Sequence, residues 1–456
     1  MLLLLYAFAY SVPVAPLVPG LALLGGWGFW RICQHPAASL FVVLCAFVLV
    51  ADFEEGTQIN EIVYAALFGA YAVHWVVTRA LLRSERVVKT PLDAAVALFL
   101  LLIGWGFAMG ALNGGSFRAA IGDAIGLSMF FFYFPIKEVV SRYRRGAPLV
   151  FGAFLLLGLF ASVRNLLLFR EMISNATMIW EIARGRVITN ESLLMLPGVL
   201  AVVLLLYVRT WSQRAVLAVI GGLLFVSLIL TQSRSYWIDY AVGMGLLFVL
   251  LDAGRRWRLL QLGVVAGTAA AVIAYLVLGG AVFLLIFGVV ERFLSIGTAN
   301  TEDISMINRF YESRAVLELI SANPILGYGL GVQYSVYDLT IDANWVKTFV
   351  HNGYLMIWYK LGIVGLVTIV SMFGLSIRAG WRALRAAPQA TTRRVWALAA
   401  LVGFVAGLPS TLVALPFVAA DTSIILAAMM GVMAGLLVKS KASRAPLPEA
   451  RSAAHI

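Results

Sequence analysis

Stretches of roughly twenty residues almost free of charge recur along this chain, with short clusters of lysine and arginine between them. A helix crosses the hydrocarbon core of a bilayer in about 20 residues, and it satisfies its own backbone while doing so. Twelve such stretches are legible, at about 38–52, 58–82, 91–112, 118–140, 147–168, 192–208, 215–232, 234–251, 259–288, 353–378, 395–414 and 420–438. Only 12% of the residues are charged, against roughly 25% in a soluble domain, and mean hydropathy is +0.94. A membrane barrel would instead alternate polarity in short segments. The expected fold is an all-α polytopic membrane protein of about 12–14 transmembrane helices with one large external loop that contains a helix. The block 1–30 is broken by Pro13, Pro16 and Pro19, which allows either one kinked span or a hairpin. It lacks a basic leading segment, so it reads as a retained first membrane segment.

A net charge of +12 would suit nucleic acid, but the cations sit where cytoplasmic loops collect them. The clusters are Arg83/Arg86/Lys89, Arg142/Arg144/Arg145, Arg209/Arg214, Arg255/Arg256/Arg258, Arg378 to Arg394 and Lys439/Lys441/Arg444. Neighbouring clusters are separated by an even number of spans, so one side of the membrane holds them all. No nucleic-acid partner is expected. The opposite side then receives Asp52 to Glu55, the loop at about 169–191, and the long loop at about 290–352. The chain divides into N-terminal helices (1–289), the large loop (290–352), C-terminal helices (353–438) and a tail (439–456) whose small and polar residues predict disorder. Cys33 and Cys45 form neither a CxxC nor a zinc spacing and are expected to pack.

The loop holds the polar residues that could do chemistry. Asp303 or Ser305 can cap a helix running to about Ala322, about 27 Å long, which Asn323-Pro324 ends because a residue before proline avoids the helical region. Gly327, Gly329 and Gly331 then permit a tight turn or a close backbone approach. The stretch Tyr334 to Phe349 reads as irregular. His351 follows at the mouth of the next span, where an imidazole can act as a base; the plainer reading is a packed interfacial histidine. His74, inside an apolar span, is assigned to packing. Arg234 lies between two spans with almost no loop, where the positive-inside bias disfavours a cation; it is either functional or a partner of Asp239. Arg309 and Arg314 lie on the loop helix, and Arg309 stands one turn from Glu312, so a surface ion pair competes with an anion site shared with Arg234. Arg184 and Arg186 are a further basic pair that either meets an anionic substrate or is solvated. No HExxH motif, P-loop, aspartate pair or metal-ligand spacing occurs, so neither metal nor cofactor is expected.

The ordered set Arg309, Asn323-Pro324, Gly327-x-Gly329-x-Gly331, His351-Asn352-x-Tyr354-Leu355 and Gly362-x-x-Gly365 resembles the signature of the O-antigen ligase and O-antigen/exopolysaccharide polymerase superfamily. Arg234, in TQSRS, resembles that family's second essential arginine. The family often has tryptophan four residues after the loop arginine; here that position is Ser313. The resemblance implies a metal-independent, inverting glycosyltransferase of the bacterial inner membrane, with its site facing the periplasm. Its donor would be a glycan on undecaprenyl diphosphate. Its acceptor would be a second glycan or lipid A-core, in a setting of membrane lipid and a chain-length regulator. His351, Arg309 and Arg234 would be catalytic; Arg314, Asn352, Tyr354, Arg184 and Arg186 would bind substrate. Glycine after Asn352 favours a polymerase slightly over an O-antigen ligase. A protein O-glycosylating ligase is a third member of the same class. A flippase for lipid-linked sugars is the alternative from another class, and it predicts broken helices and polar residues at mid-membrane depth.

Overall fold

A computed structural model describes residues 26, 28–50, 59–175, 185–187, 190–278, 283, 286–291, 293–294, 304–388, 391–414, 417 and 419–442. Most of the N-terminal block, the acidic loop Asp52 to Glu55, Arg184, Asp303 and residues 443–456 lie outside these. The elements are α1 (Pro36–Cys45), α2 (Ile59–Val76), α3 (Pro91–Leu112), α4 (Phe117–Ser128), α5 (Tyr133–Arg142), α6 (Gly146–Asn175), α7 (Glu191–Tyr207) and α8 (Trp211–Leu230). There follow α9 (Arg234–Leu250), α10 (Ala253–Leu278), α11 (Ile304–Ala322), β1 (Tyr334–Asp338), β2 (Ala343–Lys347), α12 (Gly353–Ala386), α13 (Thr392–Ala406), α14 (Ser410–Val413) and α15 (Ala420–Ala442). Each of the twelve apolar stretches falls on one or more of these helices. The protein is an all-α polytopic membrane protein: among the described residues, eight helical stretches are long and apolar enough to cross a membrane.

The core is a helical bundle around α15, which packs against α5, α7, α12 and α13 and is buried along nearly its whole apolar length. That helix ends at Ala442, four residues beyond the expected end of the C-terminal helices at 438.

One end of the bundle gathers the basic clusters. Arg142 pairs with Glu85 at 2.6 Å and Arg79 with Glu138, Lys439 donates to the Tyr143 carbonyl, and Arg393 donates to that of Leu436. There α3 begins with Pro91 in its first turn and a reciprocal cap in which Thr90 and Asp93 bond each other's backbone N–H. The remaining oxygen of Asp93 accepts from Tyr133 (2.6 Å) and Lys137 (2.5 Å).

The loop sits at the other end and is anchored into the bundle. Helix α12 is broken at Gly362, whose φ of 70° and ψ of −174° are not helical. The break frees backbone groups, and the glycine turn fills them. Tyr328 N–H donates to the Tyr359 carbonyl (2.7 Å), Gly329 N–H to that of Lys360 (3.0 Å), and Ile363 N–H to that of Pro324 (3.0 Å). On the facing side Leu330 N–H donates to the Gly106 carbonyl of α3 at 2.8 Å. At Gly329 (φ +93°) an added Cβ would lie 1.9 Å from the Gly110 nitrogen, so the turn passes between α3 and α12 only as glycine. Beneath it, Lys360 on α12 and Asp123 on α4 form a buried pair at 2.9 Å. Asp123 also accepts from Gly331 N–H, and Lys360 donates to the Val332 carbonyl.

Two expectations for the loop change. Ser305 lies inside α11 and does not cap it. The stretch from Tyr334, expected to be irregular, forms an antiparallel hairpin with Tyr334 opposite Lys347 and Asp338 opposite Ala343. Its cause is period-two patterning: Tyr334, Val336 and Asp338 point inward and alternate with exposed neighbours.

Candidate functional site

Helix α11 buries Asn308, Glu312, Val316 and Ile320, one residue per turn, which makes a single stripe. The lower half of the stripe is apolar and packs with Val332, Tyr334, Val336, Val350, Met356 and Tyr359. The upper half is polar and reads the hairpin. Asn308 donates to Asp338 (2.7 Å) and Thr340 (3.0 Å) and accepts from Leu339 N–H. Lys347 donates to Glu312 Oε1 at 2.5 Å and to Asp338 Oδ2 at 3.2 Å.

His351 closes this network. Its Nδ1 lies 2.6 Å from Glu312 Oε2, and its backbone N–H donates to the same oxygen at 3.3 Å. Glu312 therefore commits one oxygen to Lys347 and the other to His351. Burial pushes the Glu312 carboxyl up, but the bonds and charges of His351 and Lys347 outweigh it and hold it below its ordinary value. Asp338 is lowered in the same way, burial being overcome by Thr340 N–H and Lys347. An ionised carboxylate only accepts hydrogen bonds, so Nδ1 of a neutral His351 must carry the proton. Nε2 is then the atom with a free lone pair. The His351 side chain is 25% exposed, open enough to meet a substrate.

Arg309 follows Asn308 on α11 and is half-buried. It stands three residues before Glu312 on the same helix, a spacing that makes the two neighbours on its surface. Arg234 is the first residue of α9, set there by a tight turn in which Gln232 has φ +50° and Thr231 accepts from Ser233 N–H. Gln232 Nε2 donates to the Gly185 carbonyl at 3.1 Å, which ties the Arg186 segment to this turn; Arg186 itself is exposed. Helix α9 is linked onward through α14. Asp239 accepts from Ser410 N–H at 2.9 Å, and Thr411 donates to Tyr354 Oη at 3.1 Å. Arg234 is thus the first residue of α9 and His351 lies two residues before α12, and both helices contact α14.

The other candidates have different surroundings. Arg314 is 81% exposed and paired with Glu318, about 200° around the helix from Glu312; the structure does not bring it to His351. Asn352 caps α12, its oxygen accepting from Tyr354 and Leu355 N–H. Tyr354 packs edge-on against Phe373 and Phe417. Sequence reasoning missed Lys347, Asp338, Asn308 and the role of Glu312. The signals were the four-residue spacing of 308, 312, 316 and 320 and the alternation of Tyr334, Val336 and Asp338.

Among the described residues no group of three or more His, Cys, Asp or Glu is arranged to hold a metal ion. Two cavities of about 130 and 220 Å³ open at the basic end, against Arg79, Lys137, Arg378 and Arg382. Neither includes a candidate site residue, so the chemistry around His351 selects the site, not cavity size.

Residues 217–370 match the family model described as O-antigen ligase. The matched segment holds Arg234, Arg309, Glu312, Lys347 and His351. No curated protein matches the chain.

Proposed function

We propose, from the match of residues 217–370 to the O-antigen ligase family model, a glycosyltransferase of that superfamily that uses undecaprenyl-diphosphate-linked glycan at the periplasmic face of the inner membrane. The observation that carries the reading is the 2.6 Å contact between Glu312 and His351 Nδ1, one turn from Arg309 and within the matched segment.

In this reading His351 Nε2 takes the proton from an acceptor hydroxyl. The hydroxyl oxygen attacks the anomeric carbon from the face opposite the diphosphate. The anomeric C–O bond breaks, and the electron pair leaves with the undecaprenyl diphosphate. Arg309 and Arg234 carry permanent positive charge toward that leaving group, the electrostatic stabilisation a divalent ion would otherwise supply. Glu312 fixes the imidazole tautomer and stabilises the imidazolium that forms. Attack from the opposite face inverts the anomeric centre.

A broken helix and a buried Lys360–Asp123 pair are features that a flippase would also use. Here the break is filled by the loop's own backbone and the pair binds the loop, which favours an enzyme with a fixed external site. Between polymerase and ligase, Gly353 after Asn352 favours a polymerase. The test is His351→Ala in the native host with the surface glycan resolved by size. Single repeats on lipid A-core are expected for a polymerase. Long chains left on the lipid carrier with bare core would make it a ligase, and an unchanged profile would overturn the catalytic assignment.

A further inference from the structure

Three aromatic or imidazole rings and one ammonium make a row of which the reaction above uses only the imidazole, as base, and the ammonium, as a partner of Glu312. Lys347 Nζ lies 4.5 Å from the centroid of the Trp345 ring and 6.0 Å from that of Phe349. The Phe349 and His351 rings are 5.6 Å apart, edge to face. Trp345, Lys347, Phe349 and His351 are alternate residues, and β2 runs from the hairpin tip back toward α12. Along the chain the row therefore leads from the outermost part of the loop to the imidazole.

Trp345 is unusual within it. It is paired with Val336 and so shares that residue's face of the hairpin, yet Val336 is buried and Trp345 is 45% exposed. The cause is that β1 packs on α11 and β2 is the outer strand. The indole is thus held by the ammonium of Lys347 and not by the core. That ammonium is itself 4% exposed and already shared between Glu312 and Asp338, so it offers little to a second anion. What remains is a flat, pre-positioned apolar ring beside hydrogen-bonding groups. The rings that face the bundle side of the loop are different residues: Trp105 and Trp358 donate to the carbonyls of Leu326 and Pro324, next to the turn seated in α12.

We propose that Trp345, continued by Phe349, is the platform on which a neutral acceptor saccharide lies while its terminal hydroxyl reaches His351. This rests on the reading of His351 as the base. A pyranose presents an apolar face of C–H bonds that stacks on an indole, while its hydroxyls point outward to polar neighbours. The platform contributes binding and orientation, and takes no part in bond making.

The experiment uses the full-length protein in proteoliposomes with a lipid-linked donor and a saccharide acceptor. Trp345→Ala is expected to raise the acceptor KM about tenfold, with the donor KM and kcat within about twofold of wild type. Trp345→Phe, which keeps a ring, recovers most of the loss. Tyr337→Ala, on the outer face of the hairpin, leaves the acceptor KM unchanged. An unchanged acceptor KM in Trp345→Ala would overturn the platform, as would a rise in the donor KM instead, which would mark a ring that meets lipid. An equal rise in Tyr337→Ala would also overturn it, by showing that any change in the hairpin suffices. His351→Ala separates the two readings. If it is inactive while Trp345→Ala binds acceptor normally, only the platform fails; if it is fully active, the base assignment fails.

Discussion

A carboxylate removed from water can orient an imidazole only while it stays charged, and Glu312 is kept charged by the two donors it orients. Glu312→Gln retains shape and removes that charge. It is expected to lower kcat/KM by about 10- to 100-fold, as loss of an orienting partner does, with the acceptor KM little changed. The same substitution tests the linkage to pH. The folded carboxyl lies below its ordinary value of about 4.3, so its contribution to stability is fully present above that value and is lost as pH falls through the lower folded value. Melting curves of the purified protein between about pH 3 and 6 should show wild type losing stability toward the acid end; Glu312→Gln should lose markedly less. Residue by residue, the sequence singled out His351 by its place at a span boundary, as either a base or a packed interfacial histidine. It hid the contact between His351 and Glu312, because the two are 39 residues apart and local spacing points first to Arg309.

At the level of elements, the helices were readable and the hairpin was not. Apolar runs near 20 residues announce spans without reference to anything distant, which is why each of the twelve stretches overlaps a helix among the described residues. The hairpin depends on α11 for its buried face, and only the alternation at Tyr334, Val336 and Asp338 pointed to it. The glycine turn was readable as a close approach, but not what it approaches. Gly329→Ala tests that contact. A Cβ 1.9 Å from the Gly110 nitrogen cannot be relieved by a rotamer change, and φ is +93°. Activity is expected to fall at least tenfold and the loop to become sensitive to protease at Gly327 to Gly331, whereas Gly104→Ala, inside α3 with nothing near its added Cβ, should leave both nearly unchanged. Wild-type behaviour of Gly329→Ala would refute the seating of the turn.

Across the whole molecule, the pairing of lysine and arginine clusters with even span counts gave the arrangement of the two ends, and the structure gathers those clusters at one end through Arg142–Glu85, Lys439–Tyr143 and Arg393–Leu436. The join between loop and bundle was not readable, since the carbonyls and the Asp123 carboxylate that receive the glycine turn are distant in sequence. That join has a consequence in time. Tyr328, Gly329, Leu330 and Gly331 all give their N–H groups to the bundle, so these amides can meet solvent deuterium only when α3, α4 and α12 part from the loop. In hydrogen–deuterium exchange mass spectrometry this polar, glycine-rich segment should exchange as slowly as the buried helices, and the hairpin tip at Thr340 to Asp342 should exchange much sooner. Exchange of 328–331 as fast as the tip would contradict the join; slow exchange would mean that the groups around His351 keep their positions on the timescale of many turnovers, and that substrates come to a site already built.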